Sequence, residues 1–313
     1  MVEPLATVIV PTWNGAHLLP ECLDSLQRQS YARLEIIVAD GASTDATPDL
    51  LIERYPAVRL LRLRRNRGFT GNVNAGIRAA RGDIVLLLNN DAQAEPEWVA
   101  NAVRTLCEQP KLGSVASRVL YRDGRINSAG DVLGRDGTPR QRGNGQPDSA
   151  AWHEPADVFG AMGGAAAYRR AMLADVGLLD EALFMYLEDV DLAFRAQLRG
   201  WGCRYEPRAV VYHRGGASGG GTLESFWNGR NLIRVLVKNV PYGLLPKVLP
   251  AAVGQQILRA RVALAAWRGA EARATLRGQL VGLSELPRHL ADRSAVQRTR
   301  RVSDDHVWSL LAP

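Results

Sequence analysis

Residues 6–40 read ATVIVPTWNGAHLLPECLDSLQRQSYARLEIIVAD, and the order of patterns inside them decides the fold class. Residues 6–10 are rich in β-branched side chains and stop at Pro11. Within residues 18–29, Leu19, Cys22, Leu23 and Leu26 recur at helical spacing, and residues 34–39 return to an apolar run. The rhythm continues: a helix up to residue 55, capped by Thr44 or Asp45 with Pro48 in its first turn, a strand over 58–63, a helix over 70–80, a continuously apolar strand over 84–88, a helix over 96–109 and a strand over 113–120. Alternation of this kind predicts an α/β fold with a doubly wound, mostly parallel sheet whose ligands bind at the carboxyl ends of the strands.

Outward from this core, a stretch rich in Gly, Asp and Arg over 121–149 predicts a loop or irregular hairpin. A small-residue run (160–167), helices over 170–176 and 188–199 and a strand over 204–211 follow, with no internal repeat. The 313 residues, 46% hydrophobic and 23% charged, are enough to bury a sizeable core, which excludes disordered and collagen-like classes. Cys22, Cys107 and Cys203 are odd in number, far apart and in no metal-ligand spacing, so a disulfide scaffold and a zinc ribbon are excluded and a reducing compartment is expected.

The formal charge of +7 is not spread evenly. Residues 1–230 hold 26 Lys+Arg against 27 Asp+Glu, whereas residues 231–313 hold 13 against 5. A nucleic-acid partner would need positive charge on the folded body, so none is expected; a basic tail fits an anionic membrane surface. Between residues 251 and 268, Val253, Ile257, Ala260, Leu264 and Trp267 recur at helical spacing, with Arg259, Arg261 and Arg268 elsewhere on the wheel. Such a helix either lies on a membrane or packs on the body or on a second subunit. The most apolar stretch, 240–258, is interrupted by Lys247, Pro241, Pro246 and Pro250 and is not expected to span a bilayer. The start, MVEPLATVIVPTWN, lacks a basic segment followed by a long apolar one, so a cytoplasmic location is expected, with peripheral membrane contact as the tail's contribution.

Polar residues gather where the strands end: PTWNG (11–15), DGASTD (40–45), NRGFTGNVNAG (66–76) and LLNNDA (87–92). Neither GxGxxG after the first strand nor GxxxxGK with Ser or Thr occurs, which speaks against dehydrogenase and P-loop chemistry. These four segments, in this order, resemble inverting glycosyltransferases of family 2, which have the GT-A fold and use nucleotide-activated sugars. Residues 160–207, GAMGGAAAYRRAMLADVGLLDEALFMYLEDVDLAFRAQLRGWGCRYEP, resemble the acceptor half of the rhamnosyltransferase-like members, and VYHRGGAS (211–218) their late His motif. The resemblance covers residues 6 to about 238. It implies a nucleotide-sugar-binding half (1–120), an acceptor and catalytic half of the same GT-A domain (121–238) and, beyond it, a basic helical tail (239–313).

Each motif has its own physical reading beside the resemblance. Asp40 is a strand-end carboxylate suited to a base N–H or a ribose hydroxyl, the use the resemblance implies, or to capping its loop. Ser43, Thr44 and Asp45 read equally as an N-cap, with Asp45 structural first. Gly41 and Ala42 depart from the commoner DNGSTD of the family. Pro11, Thr12, Asn14, Asn89 and Asn90 are expected at the donor. Asn66, Gly68 and Gly71 precede a helix whose N–H groups can face a phosphate; Arg65 and Arg67 either reach the diphosphate or stay solvated.

Asp91, after the buried strand, is a hard oxygen ligand suited to Mg2+ or Mn2+, and Asn89 stands where an Asp-x-Asp pair would have its first acid. The resemblance implies that His213 completes the coordination, and its nitrogen tilts the preference toward Mn2+. In the segment EDVD (188–191), helical spacing groups Glu188, Asp191 and Arg195 and turns Asp189 about 100° away, making Asp189 the acid freest to meet a substrate. The resemblance assigns the general base to this pair, and Asp189 is preferred over Glu188. Met185, Tyr186 and Trp201 line an acceptor pocket or belong to the core.

The expected function is metal-dependent inverting transfer of a sugar, rhamnose foremost, from dTDP-rhamnose or a UDP-sugar to a hydroxyl of a polysaccharide or lipid-linked glycan precursor, with oligomerisation open. Two other classes compete. A sugar-phosphate nucleotidyltransferase should begin with a Gly-rich loop bearing Arg and Lys, which PTWNG does not provide; a noncatalytic glycan-binding scaffold would need neither Asp189 nor the metal ligands.

Overall fold

Strand β1 (Ala6–Thr12) is buried along its whole length and is the axis about which the rest winds. The computed structural model describes residues 3–215 and 220–313. After β1 come α1 (Leu19–Gln27), β2 (Leu34–Asp40), α2 (Thr47–Arg54), β3 (Arg59–Arg62), α3 (Gly68–Ala79), β4 (Ile84–Leu88), β5 (Ala92–Ala94), α4 (Trp98–Glu108) and β6 (Leu112–Tyr121). The segment read as a loop or hairpin holds β7 (Ile126–Ser128) and a hairpin of β8 (Asp131–Leu133) and β9 (Pro139–Gln141). The chain then forms β10 (Ala156–Val158), β11 (Ala165–Arg169), α5 (Arg170–Val176), α6 (Glu188–Leu198) and β12 (Gly202–His213). α7 (Gly221–Asn239) follows, and the tail beyond it is helical: α8 (Leu245–Ala265), α9 (Ala270–Ser284), α10 (Leu286–Arg298) and α11 (Asp304–Leu310).

Among the described residues the main sheet runs β10-β12-β6-β11-β4-β1-β2-β3, with β5 on β12 and β7 on β6. β1 is parallel to both β2 and β4, so the winding order reverses between β1 and β4 and a crevice opens at their carboxyl ends. Beyond β4, β11 runs antiparallel to β4 and β6, while β12 lies parallel to β6. β1 extends past Pro11 because its ladder with β4 ends at Ile9, and a missing N–H is tolerated where one side is unpaired.

One face of the sheet packs on α1 and α4 through Leu19, Leu23, Leu26 and Trp98, and the other on α3, α5 and α6 through Val73, Ile77, Met172 and Leu192. A third cluster joins α6 to the tail: Phe194 and Leu198 meet Val235, Val248 and Val307. Fully burying such a side chain contributes about 1.5–3 kcal/mol, so the tail is part of the folded body. No helix of the described residues is long and apolar enough to cross a membrane.

The start of α2 differs from expectation. Its N-cap is Ala46, without a capping side chain, because the Asp45 carboxylate serves two loops at once: Oδ1 accepts from Thr47 N–H (3.0 Å) and Oδ2 from Ala16 N–H (3.1 Å). Asp45 is thus a structural residue tying the turn after β1 to α2.

Candidate active site

A cleft of about 1240 Å³ opens over the β1 and β4 ends and reaches across to α6 and the tail. At the β1 and β4 ends Asn90 Nδ2 donates to Thr12 Oγ1 at 2.9 Å, which locks the two strand ends together. Gly15 lies so close that a Cβ would fall 2.2 Å from that hydroxyl oxygen. Pro11, Asn66, Gly68 and Asn89 line the same wall. Asn14, Asp40 and Ser43 stand behind it as an interlocked frame and are not part of the cleft lining. Ser43 Oγ accepts from Asn14 N–H (2.8 Å) and donates to Asp40, whose Oδ1 also accepts from Ser43 N–H (3.0 Å). Asp40 Oδ2 has no hydrogen-bond partner among the described residues and faces Arg62 Nε at 3.7 Å.

Gly68 has φ +71°, a conformation that favours glycine, and a Cβ there would meet the Phe184 carbonyl oxygen at 2.5 Å. Asn66 Oδ1 accepts from Gly68 N–H at 2.9 Å, and Thr70 N–H donates to Phe184 at 3.1 Å, so the glycine loop is docked on the turn that precedes α6. Arg67 pairs with Glu181 on that same turn.

The antiparallel register of β12 against β5 pairs His213 with Ala92 and brings the imidazole beside Asp91, with His213 Nε2 3.2 Å from Asp91 Oδ1. On its other edge, Nδ1 meets Asn127 Oδ1 at 2.9 Å. With the amide oxygen accepting, Nδ1 carries the ring proton and the Nε2 lone pair points toward a carboxylate oxygen, the orientation a metal-ligating histidine takes. Among the described residues no three His, Cys, Asp or Glu side chains are grouped to hold a metal; the Asp91 carboxylate and the His213 imidazole are each of a chemistry that a divalent ion accepts as ligand. Of VYHRGGAS, residues 216–218 lie outside the described part of the chain.

Three residues before α6 hold positive φ: Phe184 (62°), Tyr186 (66°) and Leu187 (65°), each costing on the order of 1–3 kcal/mol. α7 offsets that strain. The buried Asn231 amide lies within hydrogen-bond distance of the carbonyls of Leu183 (2.9 Å), Met185 (2.8 Å) and Tyr186 (2.9 Å), and Arg230 donates to that of Ala182 (2.8 Å). The clamped turn delivers three acids into three different environments.

Asp191 points away from the cleft: burial raises its pKa, but Lys238 and Arg195, at 2.6 and 2.9 Å, outweigh burial and hold it well below the usual carboxylate range. Glu188 faces the cleft, where burial and then the charges of Asp189 and Asp191 push it well up, and its Oε2 has no hydrogen-bond partner among the described residues. Asp189 also lines the cleft; burial raises it, while N–H groups of Gly163 (2.9 Å) and Val190 (2.8 Å) pull it back. Asp189 is therefore the better anchored of the two, and both acids line the cleft.

Sequence reasoning missed Asn127, Asn231 and Asp131. Asp131 is buried in the cleft wall at the start of β8, and burial followed by the charge of Asp189 raises it well above its ordinary value. Its only sequence signal is an acid after the small residues 128–130. Met185 and Tyr186 line the cleft, whereas Trp201 packs on the core and donates its indole N–H to Asp175 at 2.9 Å.

Known proteins share this pattern. The sequence model of the family described as "Glycosyl transferase family 2" matches residues 7–177. Uncharacterized protein y4gI of Sinorhizobium fredii is 31% identical over 69% of this chain, which spans a quarter (25%) of that relative's length. An N-acetylglucosaminyl-diphospho-decaprenol L-rhamnosyltransferase of Mycobacterium tuberculosis is 30% identical over 68% of this chain and 76% of its own. Among solved structures, GalNAc-T7 with UDP, GalNAc and Mn2+ superposes with a TM-score of 0.60 at 16% identity, over 76% of this chain and 48% of that one. The mannosyltransferase PcManGT from Pyrobaculum calidifontis, in complex with GDP-Man and Mn2+, gives 0.57 at 21% identity over 99% and 88%. The likeness to the solved structures is one of fold: a mostly parallel α/β sheet of GT-A type with a helical C-terminal region. Because the matched segment spans the strand-end loops and the reversal between β1 and β4 at which the cleft opens, the chain belongs to glycosyltransferase family 2.

Proposed function

We propose that the protein transfers a sugar from a nucleoside diphosphate to an acceptor hydroxyl by a single inverting displacement in this cleft. The observation that carries the reading is the pair of adjacent buried acids on the cleft wall: Asp189 accepts two backbone N–H groups, which favour the carboxylate a base needs, while Glu188 Oε2 has no hydrogen-bond partner among the described residues. The acceptor oxygen attacks the anomeric carbon, its proton passes to Asp189, and the bond from that carbon to the diphosphate oxygen breaks, leaving the nucleoside diphosphate. Thr12, Asn66, Asn89 and Asn90 line the donor side, supported from behind by Asn14, Asp40 and Ser43. A divalent cation, Mn2+ or Mg2+, held by Asp91 and His213 would supply positive charge to the leaving diphosphate.

In this reading residues 1–120 serve the donor, 121–238 the acceptor, and 239–313 a membrane surface. Rhamnose is the proposed sugar, supported by the M. tuberculosis relative named as a rhamnosyltransferase, with dTDP-rhamnose the proposed donor and a lipid-linked glycan the proposed acceptor. The test is to incubate the protein with a panel of dTDP-, UDP- and GDP-sugars and measure nucleoside diphosphate released with and without glycan acceptors. Release from one donor, stimulated by acceptor, is expected; binding of nucleotide sugar with no release under any pairing would return the protein to the scaffold class.

A further inference from the structure

Helix α8 turns its buried residues Val248, Ala252 and Ala263 to the body, and Arg259 lies on the same side, where it lines the cleft beside the β8–β9 hairpin. Its guanidinium is half-buried, and burial pulls it below its ordinary value. Among the described residues Arg259 makes no hydrogen bond or ion pair. The nearest acid, Asp136, is already engaged: Oδ1 accepts from Thr138 N–H (2.9 Å) and Oδ2 from Arg140 (3.0 Å) and Gln255 (3.3 Å). Of the buried arginines, Arg195 is matched by Asp191, Arg230 by Glu285 and Arg234 by Asp180 and Asp292, while Arg293 donates to the Val237 carbonyl. The half-buried Arg259 guanidinium thus presents its donors to the cleft with no protein acceptor among the described residues, where an anion entering the cleft can take them.

We propose that Arg259 is an anion site at the acceptor end of the cleft and takes the phosphate of a lipid-linked glycan phosphate. The choice of a lipid follows from the rest of α8. Val253, Ile257 and Leu264 are 46%, 53% and 57% exposed and form a stripe about 140° round the helix from Arg259. One helix thus offers a cation inside the cleft and an apolar edge outside it. A lipid phosphate carries both matching features, whereas a free polysaccharide carries neither. This inference rests on the transfer reading, assigning a residue of α8 to the phosphate of the acceptor proposed there, and its test does not depend on turnover.

Binding of farnesyl diphosphate, farnesol and inorganic pyrophosphate to the full-length protein, measured by calorimetry for wild type, Arg259→Ala and Arg259→Lys with matched thermal unfolding, separates the sources. We expect wild type to bind farnesyl diphosphate at least ten-fold more tightly than farnesol or pyrophosphate, Arg259→Ala to lose that advantage and Arg259→Lys to keep part of it. The proposal is overturned if Arg259→Ala binds farnesyl diphosphate like wild type, if farnesol binding falls equally, or if pyrophosphate binds as tightly as farnesyl diphosphate. Intact farnesyl diphosphate binding in a protein that transfers no sugar would overturn the transfer reading and leave this site standing.

Discussion

Asp189 and Glu188 are neighbours in sequence and share one cleft, yet the hydrogen bonds around them divide the labour. Asn at position 189 keeps an oxygen for the Gly163 N–H and loses the basicity, so Asp189→Asn is expected to fold, bind donor normally and transfer about 10² to 10⁴ times more slowly. Because burial raises the Asp189 pKa, wild-type kcat should fall on the acid side through a value above the ordinary carboxylate range, as the base is lost to protonation, and that limb should vanish from the residual activity of the variant. Near-normal turnover in Asp189→Asn, with a collapse in Glu188→Gln, would move the base one residue back. The Asp91–His213 pair carries a separate expectation. Chelation with EDTA should stop transfer, added Mn2+ or Mg2+ should restore it, and Asp91→Ala or His213→Ala should each weaken nucleotide-dependent Mn2+ binding followed by electron paramagnetic resonance. Full turnover in chelator would remove both residues from the chemistry.

At the scale of elements, the first turn of α6 is positioned by the helix that follows β12. α7 supplies Asn231 to the strained turn and Lys238 and Asn239 to Asp191, so the two helices share a buried network. Removing the Asp191 charge leaves Arg195 and Lys238 buried with fewer partners, and losing one member of such a network typically costs about 3–5 kcal/mol. Asp191→Asn should therefore lower the unfolding free energy measured by urea denaturation by that amount at pH 7. The sign of the pH dependence is fixed by the depressed pKa: the contribution is present above the ordinary carboxylate range and is lost as pH falls toward the folded value, so the gap between variant and wild type should shrink in strong acid. A gap that is small at pH 7 would mean that Asp180, which also pairs with Lys238, suffices alone.

For the whole molecule, the uneven charge acquires a location. The 13 Lys and Arg of residues 231–313 belong to a helical layer whose α8 stripe is exposed while its opposite side is part of the body. Truncation before α8 would uncover Val235 and Phe194 as well as remove the apolar stripe, so substitution is the cleaner test. The full-length protein is expected to float with vesicles containing anionic lipid, less so at high salt, and Val253→Asp with Ile257→Asp should abolish flotation without weakening donor binding. Concentration-dependent dimerisation with no flotation would assign the stripe to a second copy instead.

Local pattern alone determined the strand and helix order of the first 120 residues apart from β5, which forms only by pairing with the distant β12, because apolar periodicity and proline and glycine punctuation act within a few residues of where they are read. It also drew Thr12, Asn66, Asn89, Asn90 and Asp91 to one edge, since parallel strands share the end at which their loops emerge. The sequence equally carried the ion pair of Asp191 with Arg195, four residues apart on one helix. Only the tertiary structure decided the rest. It set Asp40 and Ser43 behind the cleft wall, placed Asn127 on the back of His213, lodged Asp131 beside Asp189, and used Asn231 to clamp a turn more than 40 residues away in sequence. Each of those relations joins residues far apart in the chain, and burial and pairing across such distances come from packing, which no periodicity in the sequence records.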